Sequence, residues 1–157
     1  MTLEKIFIAV LCVVLAASCA DSGEEFLADP AAEPSEFRGL AWQQPLSSIS
    51  DMVELYRDDD GAITCSRKDD DLSFGDAALS SIEYIFVDDK LSTISLVAKG
   101  KKNEDALLGE AIAMFGRATV QSGEDHLWRF TDVAVMFSRE PDEQSVLFYK
   151  YIGFLNK

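Results

Sequence analysis

Two segments with alternating apolar residues, joined by a short polar turn, constrain the fold of this 157-residue chain more than any other feature. The segments are Leu79–Val87 and Leu91–Ala98, and Asp88-Asp89-Lys90 separates them. An apolar residue at every second position is typical of a β-strand with one buried face. The alternating positions are Ile82, Tyr84, Phe86, Ile94 and Leu96. The pattern therefore predicts an antiparallel hairpin that packs against a core.

Further segments have a strand-like composition. Asp58-Asp59-Asp60-Gly61 lies between Met52–Arg57 and Ala62–Lys68. An Asp-Gly pair between two such segments predicts a second hairpin. The other segments predicted to be extended are Phe37–Trp42, Leu72–Phe74, His126–Phe130, Val133–Ser138 and Val146–Ile152.

One long helix is predicted at Asn103–Phe115. Asn103 is a favourable N-cap, and Gly116 is a favourable residue to end the helix. Glu104 and Asp105 place negative charge at the positive end of the helix dipole. The apolar positions that share one helical stripe are Leu107, Leu108, Ala111, Ile112 and Phe115.

A second, short helical turn with a serine cap is predicted at Pro45–Ser50. Strands in groups that helices separate are typical of the α+β class. We therefore predict an antiparallel sheet of about six to nine strands, with one short and one long helix packed on one face. The segment 147–155 is apolar on both strand faces, which indicates either a strand buried on both sides or a partner-binding edge. We favour the buried strand.

The N-terminal segment has the features of a secretion signal. Ile6–Ala17 contains twelve apolar residues and no charge, whereas a helix that spans a bilayer needs about 20. The segment therefore fits the apolar core of a signal peptide. Its end, Leu15-Ala16-Ala17-Ser18-Cys19, resembles the lipobox of bacterial lipoproteins. This resemblance implies that Met1–Ser18 is removed and that Cys19 becomes a lipid-bearing N-terminus in the cell envelope.

As an alternative, the protein is secreted without a lipid anchor. Ser18-Cys19-Ala20 also permits cleavage after Ala20, which would remove Cys19 and release a soluble periplasmic protein. In lipoproteins the residue after the cysteine biases sorting, and Ala20 at that position implies an outer-membrane protein that faces the periplasm. The predicted organisation is a signal peptide at residues 1–18, an acidic flexible tether at residues 19–35 and one α+β domain at residues 36–157.

The charge of the chain restricts its partners. The net charge is −14, and removal of Glu4 and Lys5 with the signal peptide leaves it unchanged. Nucleic-acid binding needs clustered lysine and arginine, so this class of partner is disfavoured. The expected membrane contact is the lipid anchor alone, and a basic protein partner is favoured.

Cysteine and histidine, which often act in catalysis or bind metals, are rare in this chain. The sequence indicates no catalytic site and no cofactor. Cys65 is the one cysteine of the mature domain, so it reads as a buried, inert thiol. His126 is the only histidine, which excludes a zinc site built on histidines. The triplets Asp58–Asp60 and Asp69–Asp71 do not fit an EF-hand frame, so we interpret them as solvated turns, with a weak calcium site as the alternative.

One basic cluster, Lys99-Gly100-Lys101-Lys102, precedes the predicted long helix. Backbone N–H groups at a helix N-terminus attract anions. Lys99, Lys101 and Lys102 are therefore a candidate anion contact, and an ordinary charged loop is the alternative.

A second resemblance concerns the domain itself. Met114-Phe115-Gly116 ends the predicted helix, and a strand with Leu127-Trp128-Arg129-Phe130 and a second strand from Val133 to Phe137 follow. The arrangement is similar to BamE-like and β-lactamase-inhibitor-like domains, although Arg117-Ala118 stands where those have a proline. The resemblance implies a domain that binds other proteins and catalyses nothing.

Three functional hypotheses follow. The first is a lipid-anchored, non-enzymatic envelope protein that binds another protein. The second is an inhibitor or immunity-type protein whose acidic surface covers a basic target. The third is a carboxylate-based hydrolase of envelope glycans.

The lipobox makes a direct prediction about the mature N-terminus. Intact-mass analysis of the protein extracted from membranes should show a chain that begins at Cys19 and carries an added lipid mass. Cys19→Ala should abolish both the processing and the lipid. An unmodified chain that begins at Asp21 would contradict the lipoprotein assignment.

Overall fold

The computed structural model describes residues 28–156, and it confirms a mostly antiparallel sheet with one α-helix. The small N-terminal hairpin consists of β1 (Glu36–Phe37) and β2 (Leu40–Ala41). The strands before the helix are β3 (Met52–Arg57), β4 (Ile63–Arg67), β5 (Ser73–Phe74), β6 (Ala77–Val87) and β7 (Lys90–Lys99). The helix is α1 (Lys101–Phe115), and the strands after it are β8 (Val120–Ser122), β9 (Asp125–Arg129), β10 (Val133–Glu140) and β11 (Gln144–Tyr151).

The main sheet has nine strands in the order β3-β4-β6-β7-β11-β10-β9-β8, and β5 pairs with the start of β6. Every neighbouring pair is antiparallel. The C-terminal strand β11 lies between β7 and β10, so the apolar segment from residue 147 is central and buried on both faces. Of the two interpretations of this segment, the structure supports the buried strand.

Turn chemistry explains the two predicted hairpins. Val87 pairs with Lys90, so Asp88 and Asp89 form a two-residue turn, and both have positive φ (50° and 63°). Such turns match the twist of the strands, and aspartate tolerates this conformation better than most residues. In the hairpin of β3 and β4, the Asp58 carboxylate accepts hydrogen bonds from the backbone N–H groups of Asp60 (3.1 Å) and Ala62 (2.8 Å). Both hairpins are confirmed.

The predicted start of the helix was two residues late. The helix begins at Lys101 after Gly100, which has a φ of 80°. Asn103 lies inside the first turn, where its side chain accepts a hydrogen bond from Ala78 N–H of β6 and donates one to the carbonyl of Lys99. Asn103 therefore ties the helix to the sheet instead of capping it. Within residues 28–156, no helix has the length and apolar character that crossing a membrane requires.

The second predicted helix is not confirmed. The segment Pro45–Ser50 contains a single 3-10 turn at Leu46–Ser48, and no side chain caps its start. Ser48 Oγ instead donates to the carbonyl of Pro45 (2.7 Å). Strand β8 was not predicted from the sequence, since its short segment is polar and exposed.

The sheet has two apolar faces, which we call the helix face and the opposite face. On the helix face, residues paired in register form one buried row across six strands, and α1 packs over this side of the sheet. The row consists of Cys65, Tyr84, Ile94, Tyr149, Val135 and Trp128. The opposite face has its own apolar cluster of Val97, Leu127, Ala134, Met136, Val146, Phe148 and Ile152.

The described end of the predicted tether, residues 28–35, packs against the domain. Ala28 is buried, and its N–H donates to the carbonyl of Arg129 (2.7 Å). The Glu33 carboxylate accepts hydrogen bonds from the N–H groups of Asp132 and Val133. The prediction of a flexible tether therefore now concerns residues 19–27, which lie outside the described residues.

A buried ion pair fixes α1 on the sheet. Arg139 of β10 donates to Glu104 (2.6 Å) in the first turn of the helix and to Asp105 (2.7 Å), the next residue. The side chains of Arg139 and Glu104 are only 16% and 6% exposed. Ser145 Oγ donates to the same Glu104 oxygen (3.2 Å). The Glu104 carboxylate places negative charge at the positive N-terminal end of the helix dipole. The Arg139 guanidinium compensates the charge of this carboxylate.

Arg139→Ala should destabilise the fold, because it leaves the Glu104 carboxylate buried without its cation. We expect a loss of about 3 kcal/mol in the free energy of unfolding, measured by urea denaturation. The double variant Glu104→Gln/Arg139→Met should recover most of this loss. Arg57→Ala removes the exposed pair with Glu54 (3.2 Å) and serves as the control, with an expected change below about 0.5 kcal/mol. Equal effects of the two single substitutions would contradict the assignment.

Candidate binding groove at the sheet edge

The outer strand β3 exposes apolar side chains. Among the described strands it pairs only with β4, so one of its edges is free. Val53 pairs with Ser66, and Tyr56 pairs with Thr64, so both side chains lie on the opposite face of the sheet. Val53 is 40% exposed and Tyr56 is 48% exposed. Large apolar groups that cluster at a free edge mark an interaction site more often than scattered ones do.

A cavity of about 60 Å³ lies beside this strand, also on the opposite face. We call it the edge groove. It is lined by Tyr56, Asp58, Thr64, Glu83, Ile85, Val87, Ser92, Thr93, Phe148 and Lys150. The lining thus combines apolar walls with two carboxylates and one lysine.

Strand register explains why these side chains meet. Thr64, Ile85, Thr93 and Lys150 are paired in one row across β4, β6, β7 and β11. Alternation along β6 places Glu83 and Val87 on the same face as Ile85, two residues to either side. The same alternation sends Tyr84 and Phe86 into the core on the helix face. One strand therefore supplies both the core and the groove.

The rim of the groove is apolar and accessible. We define the rim as Tyr56 and Val87, which line the groove, together with Val53, which lies outside the lining on the same face of β3. Val87 is 42% exposed. Folding alone gains little from side chains that stay this exposed, because the hydrophobic contribution scales with the area removed from water. The rim is thus available to a binding partner.

Glu83 is the unusual group in the groove. Burial raises the pKa of its carboxyl above the ordinary value of 4.5, and no positive group among residues 28–156 offsets this effect. Its register partner Ser95 is fully buried, and Ser95 Oγ has no hydrogen-bond partner among the described residues. The opposite face therefore contains two adjacent polar groups whose hydrogen-bonding or ionic capacity is not used within the domain.

The size of the cavity limits what it can hold. A typical small-molecule site has a volume of about 300–1,000 Å³, whereas the edge groove encloses about 60 Å³. A single water needs roughly 10–15 Å³ by this measure. The enclosed part of the groove therefore has room for a few waters or for the end of one side chain, and a larger ligand would extend into solvent.

A second, wider hollow of about 450 Å³ lies near the N-terminal segment, beside Pro30, Trp42, Asp132 and Tyr151. The indole N–H of Trp42 already donates to the carbonyl of Pro34 (2.7 Å). The polar groups of this region largely bind one another, since Glu33 also holds two backbone N–H groups here. This hollow offers less unused chemistry than the edge groove.

The positive charge of the predicted anion contact (Lys99, Lys101 and Lys102) is partly compensated within the domain. Lys101 and Lys102 lie in the first turn of α1, and Lys99 ends β7. Lys101 Nζ pairs with the Asp105 carboxylate (2.9 Å), which also binds Arg139. Lys101 is thus already paired within the domain, which reduces the positive charge that an anion would meet.

The predicted lipidation residue Cys19 lies outside the described residues. Cys65 is buried in the helix-face row, forms no disulfide within the described part of the chain, and burial raises the pKa of its thiol. His126 stacks on Trp128 at 5.9 Å, and burial lowers its pKa. Neither residue lines the edge groove.

The two aspartate triplets have separate structural roles. Asp58 holds the turn after β3, as described above. Asp70 pairs with Arg38 (2.7 Å) and accepts a hydrogen bond from Tyr84 Oη (2.7 Å), so it fixes the β1–β2 hairpin to the sheet. In the part of the chain that the structure describes, no group of three or more His, Cys, Asp or Glu side chains is arranged to hold a metal ion.

Sequence reasoning did not single out Glu83, Val87 or Tyr56. A charged residue at the solvent position of an alternating strand is ordinary, and only the sheet order shows that β3 is an edge. The available signals were Ile85 and Val87, two apolar residues at positions where the alternation calls for polar ones.

Comparisons with known proteins identify no relative of this chain. No protein-family model, curated protein or solved structure matches this chain.

The half-buried carboxyl of Glu83 predicts that the stability of the fold depends on pH. A folded-state pKa above the ordinary value means that ionisation of Glu83 disfavours the fold, so this cost is absent at low pH and develops as the pH rises. Glu83→Gln should therefore be more stable than the wild type at neutral pH. The gain should shrink as the pH falls from about 8 to about 4. Urea denaturation across this range measures the difference, and Glu36→Gln on the exposed face of β1 is the matched charge control. A constant difference would contradict the burial of Glu83.

Proposed function

We propose that this protein is a lipid-anchored protein of the bacterial cell envelope whose domain binds another protein and catalyses no reaction. The observation that carries the proposal is the edge groove, with its exposed apolar rim of Val53, Tyr56 and Val87. An apolar rim around a small cavity suits an anchor side chain from a partner, which is the usual centre of a protein–protein contact.

The position of the chain entry supports this proposal. Ala28 bonds to Arg129 of β9, whereas the groove lies between β3 and β11. In the sheet order, β9 is two strand spacings (about 10 Å) from β11, the nearest strand of the groove, and six (about 30 Å) from β3. A tether attached through Cys19 would therefore reach the domain beside the groove, on the side of the sheet that ends with β8. The groove would remain accessible to a partner above the membrane.

The proposed tether is short. If residues 19–27 are extended and flexible, nine residues give a root-mean-square reach of about 15–18 Å. This distance holds the domain close to the headgroups, and the negative charge of the chain favours its orientation away from an anionic surface. Location at the outer membrane, facing the periplasm, is part of the same proposal.

The BamE-like and inhibitor-like resemblance is compatible with this function. Phe115 packs on Trp128 (5.9 Å), and the Trp128 indole N–H donates to the carbonyl of Gly116 (2.9 Å). The residues that suggested the resemblance thus form one contact between the helix end and β9. An inhibitor or immunity-type role uses the same groove, with an enzyme as the partner.

A carboxylate hydrolase is the less favoured proposal. Asp58 and Glu83 both line the groove, and the pKa of Glu83 is raised, as a general acid requires. A glycosidase, however, must also accommodate a sugar between its carboxyl groups, and the enclosed space of about 60 Å³ is small for one. The volume therefore favours binding over hydrolysis.

Site-specific photo-crosslinking in cells tests the proposed function. A crosslinking amino acid at Tyr56, on the groove rim, should give one discrete adduct. The same group at Met114, which is 51% exposed on α1, should give none. Adducts of equal yield from both positions, or no adduct from Tyr56, would contradict the proposal.

A matched pair of substitutions makes the test specific to the groove. Val87→Asp places a charge on the rim and should abolish the Tyr56 adduct, because burial of an unpaired charge disfavours the contact. Val120→Asp makes the same change at a residue of nearly equal exposure (41%) on the other edge strand, β8. This control should leave the adduct unchanged.

A further inference from the structure

The irregular edge of β3 limits the ways in which a partner can bind there. The pairing of β3 with β4 has a bulge between Glu54 and Tyr56, so Leu55 has no partner in the register. A bulge bends an edge strand and interrupts its ladder, which disfavours the addition of a further regular strand. Recognition at this edge therefore depends on side chains that enter the groove.

The groove has room for one side-chain end and contains an uncompensated carboxylate. Glu83 is half-buried beside the apolar groups of Ile85, Val87 and Phe148. Lys150 also lines the groove, but it lies on β11, two strands away from Glu83 on β6. Burial is the only influence on the pKa of the Glu83 carboxyl, so neither Lys150 nor another cation among residues 28–156 compensates its charge. A cation at Glu83 must therefore come from outside the domain.

The surrounding charge favours the same kind of ligand. The turn after β3 carries Asp58, Asp59 and Asp60, and the whole chain has a net charge of −14. A negative surface raises the local concentration of positive partners and speeds their association. The long stem of a lysine or arginine would lie along the apolar walls while its charged end meets the carboxylate.

We propose that the edge groove recognises a protein segment that presents one lysine or arginine between apolar residues, with Glu83 as the acceptor of the cationic end. The apolar neighbours of that residue contact the rim of Val53, Tyr56 and Val87. This inference rests on the proposed function, since it assigns the chemistry of the partner at the same groove.

Capped five-residue peptides test this recognition directly. The probes carry a central lysine, norleucine or glutamate between valines, and each is titrated into the full chain in detergent micelles. Methyl NMR signals of Ile85 and Val87 should shift with the lysine peptide, shift less with norleucine and stay unchanged with glutamate. Norleucine keeps the stem and removes the charge, so it separates the ionic contribution from the apolar one.

Two substitutions complete the design. Glu83→Gln should weaken binding of the lysine peptide by about tenfold, because a hydrogen bond to a charged group is lost. It should leave the norleucine peptide unaffected. Glu36→Gln makes the same charge change on β1 and should have no effect on either peptide. Thermal unfolding of each variant verifies that the fold is retained.

The outcomes separate this inference from the function on which it rests. Equal affinity for lysine and norleucine, equal effects of the two substitutions, or shifts that avoid Ile85 and Val87 would overturn the recognition of a cation. Groove-dependent adducts at Tyr56 together with any of these results would retain the protein-binding function and remove only the assignment of partner chemistry.

Discussion

The pairing of β7 with β11 is the interaction on which the rest of the structure depends. Seven residue pairs, from Lys99 with Gln144 to Thr93 with Lys150, join the two halves of the chain in the middle of the sheet. The strands before the helix form one half, and the last four strands form the other. Because β11 is the last strand, the sheet is complete only when the C-terminal end is in place. Such a non-local contact carries a loop-closure cost that local hairpins do not.

This central position explains why β11 is apolar on both faces. Leu147 and Tyr149 join the core beneath α1, and Val146 and Phe148 join the cluster on the opposite face. The helix covers only one face, and the Glu104–Arg139 pair holds it there. On the opposite face, the apolar cluster gives way toward β3 to the mixed lining of the edge groove, with Phe148 common to both. The groove is thus the transition between a packed sheet centre and an exposed sheet edge.

Local signals allowed much of the fold to be predicted from the sequence. Alternation identified β6 and β7, and Asp-rich turns identified both hairpins, because these patterns act within a few residues. The helix start was misplaced since Asn103, a good cap by type, is used in a contact with Ala78 of a distant strand. The groove could not be predicted for the same reason. It depends on strand order, and the residues that line it come from β3, β4, β6, β7 and β11 and the turns beside them.

The chain entry, the attachment of the helix and the proposed binding groove are located in different parts of the domain. The chain enters at β9, α1 is fixed on the helix face, and the groove opens on the opposite face near β3. Substitutions at exposed sites such as Val53, Tyr56 and Val87 remove few native contacts, and surface substitutions of this kind change stability by about 0.5 kcal/mol or less. Glu83→Gln acts in the favourable direction on stability while it removes the proposed acceptor. Stability and recognition are therefore expected to respond differently to these substitutions, and thermal unfolding of each variant separates a binding defect from a loss of the fold.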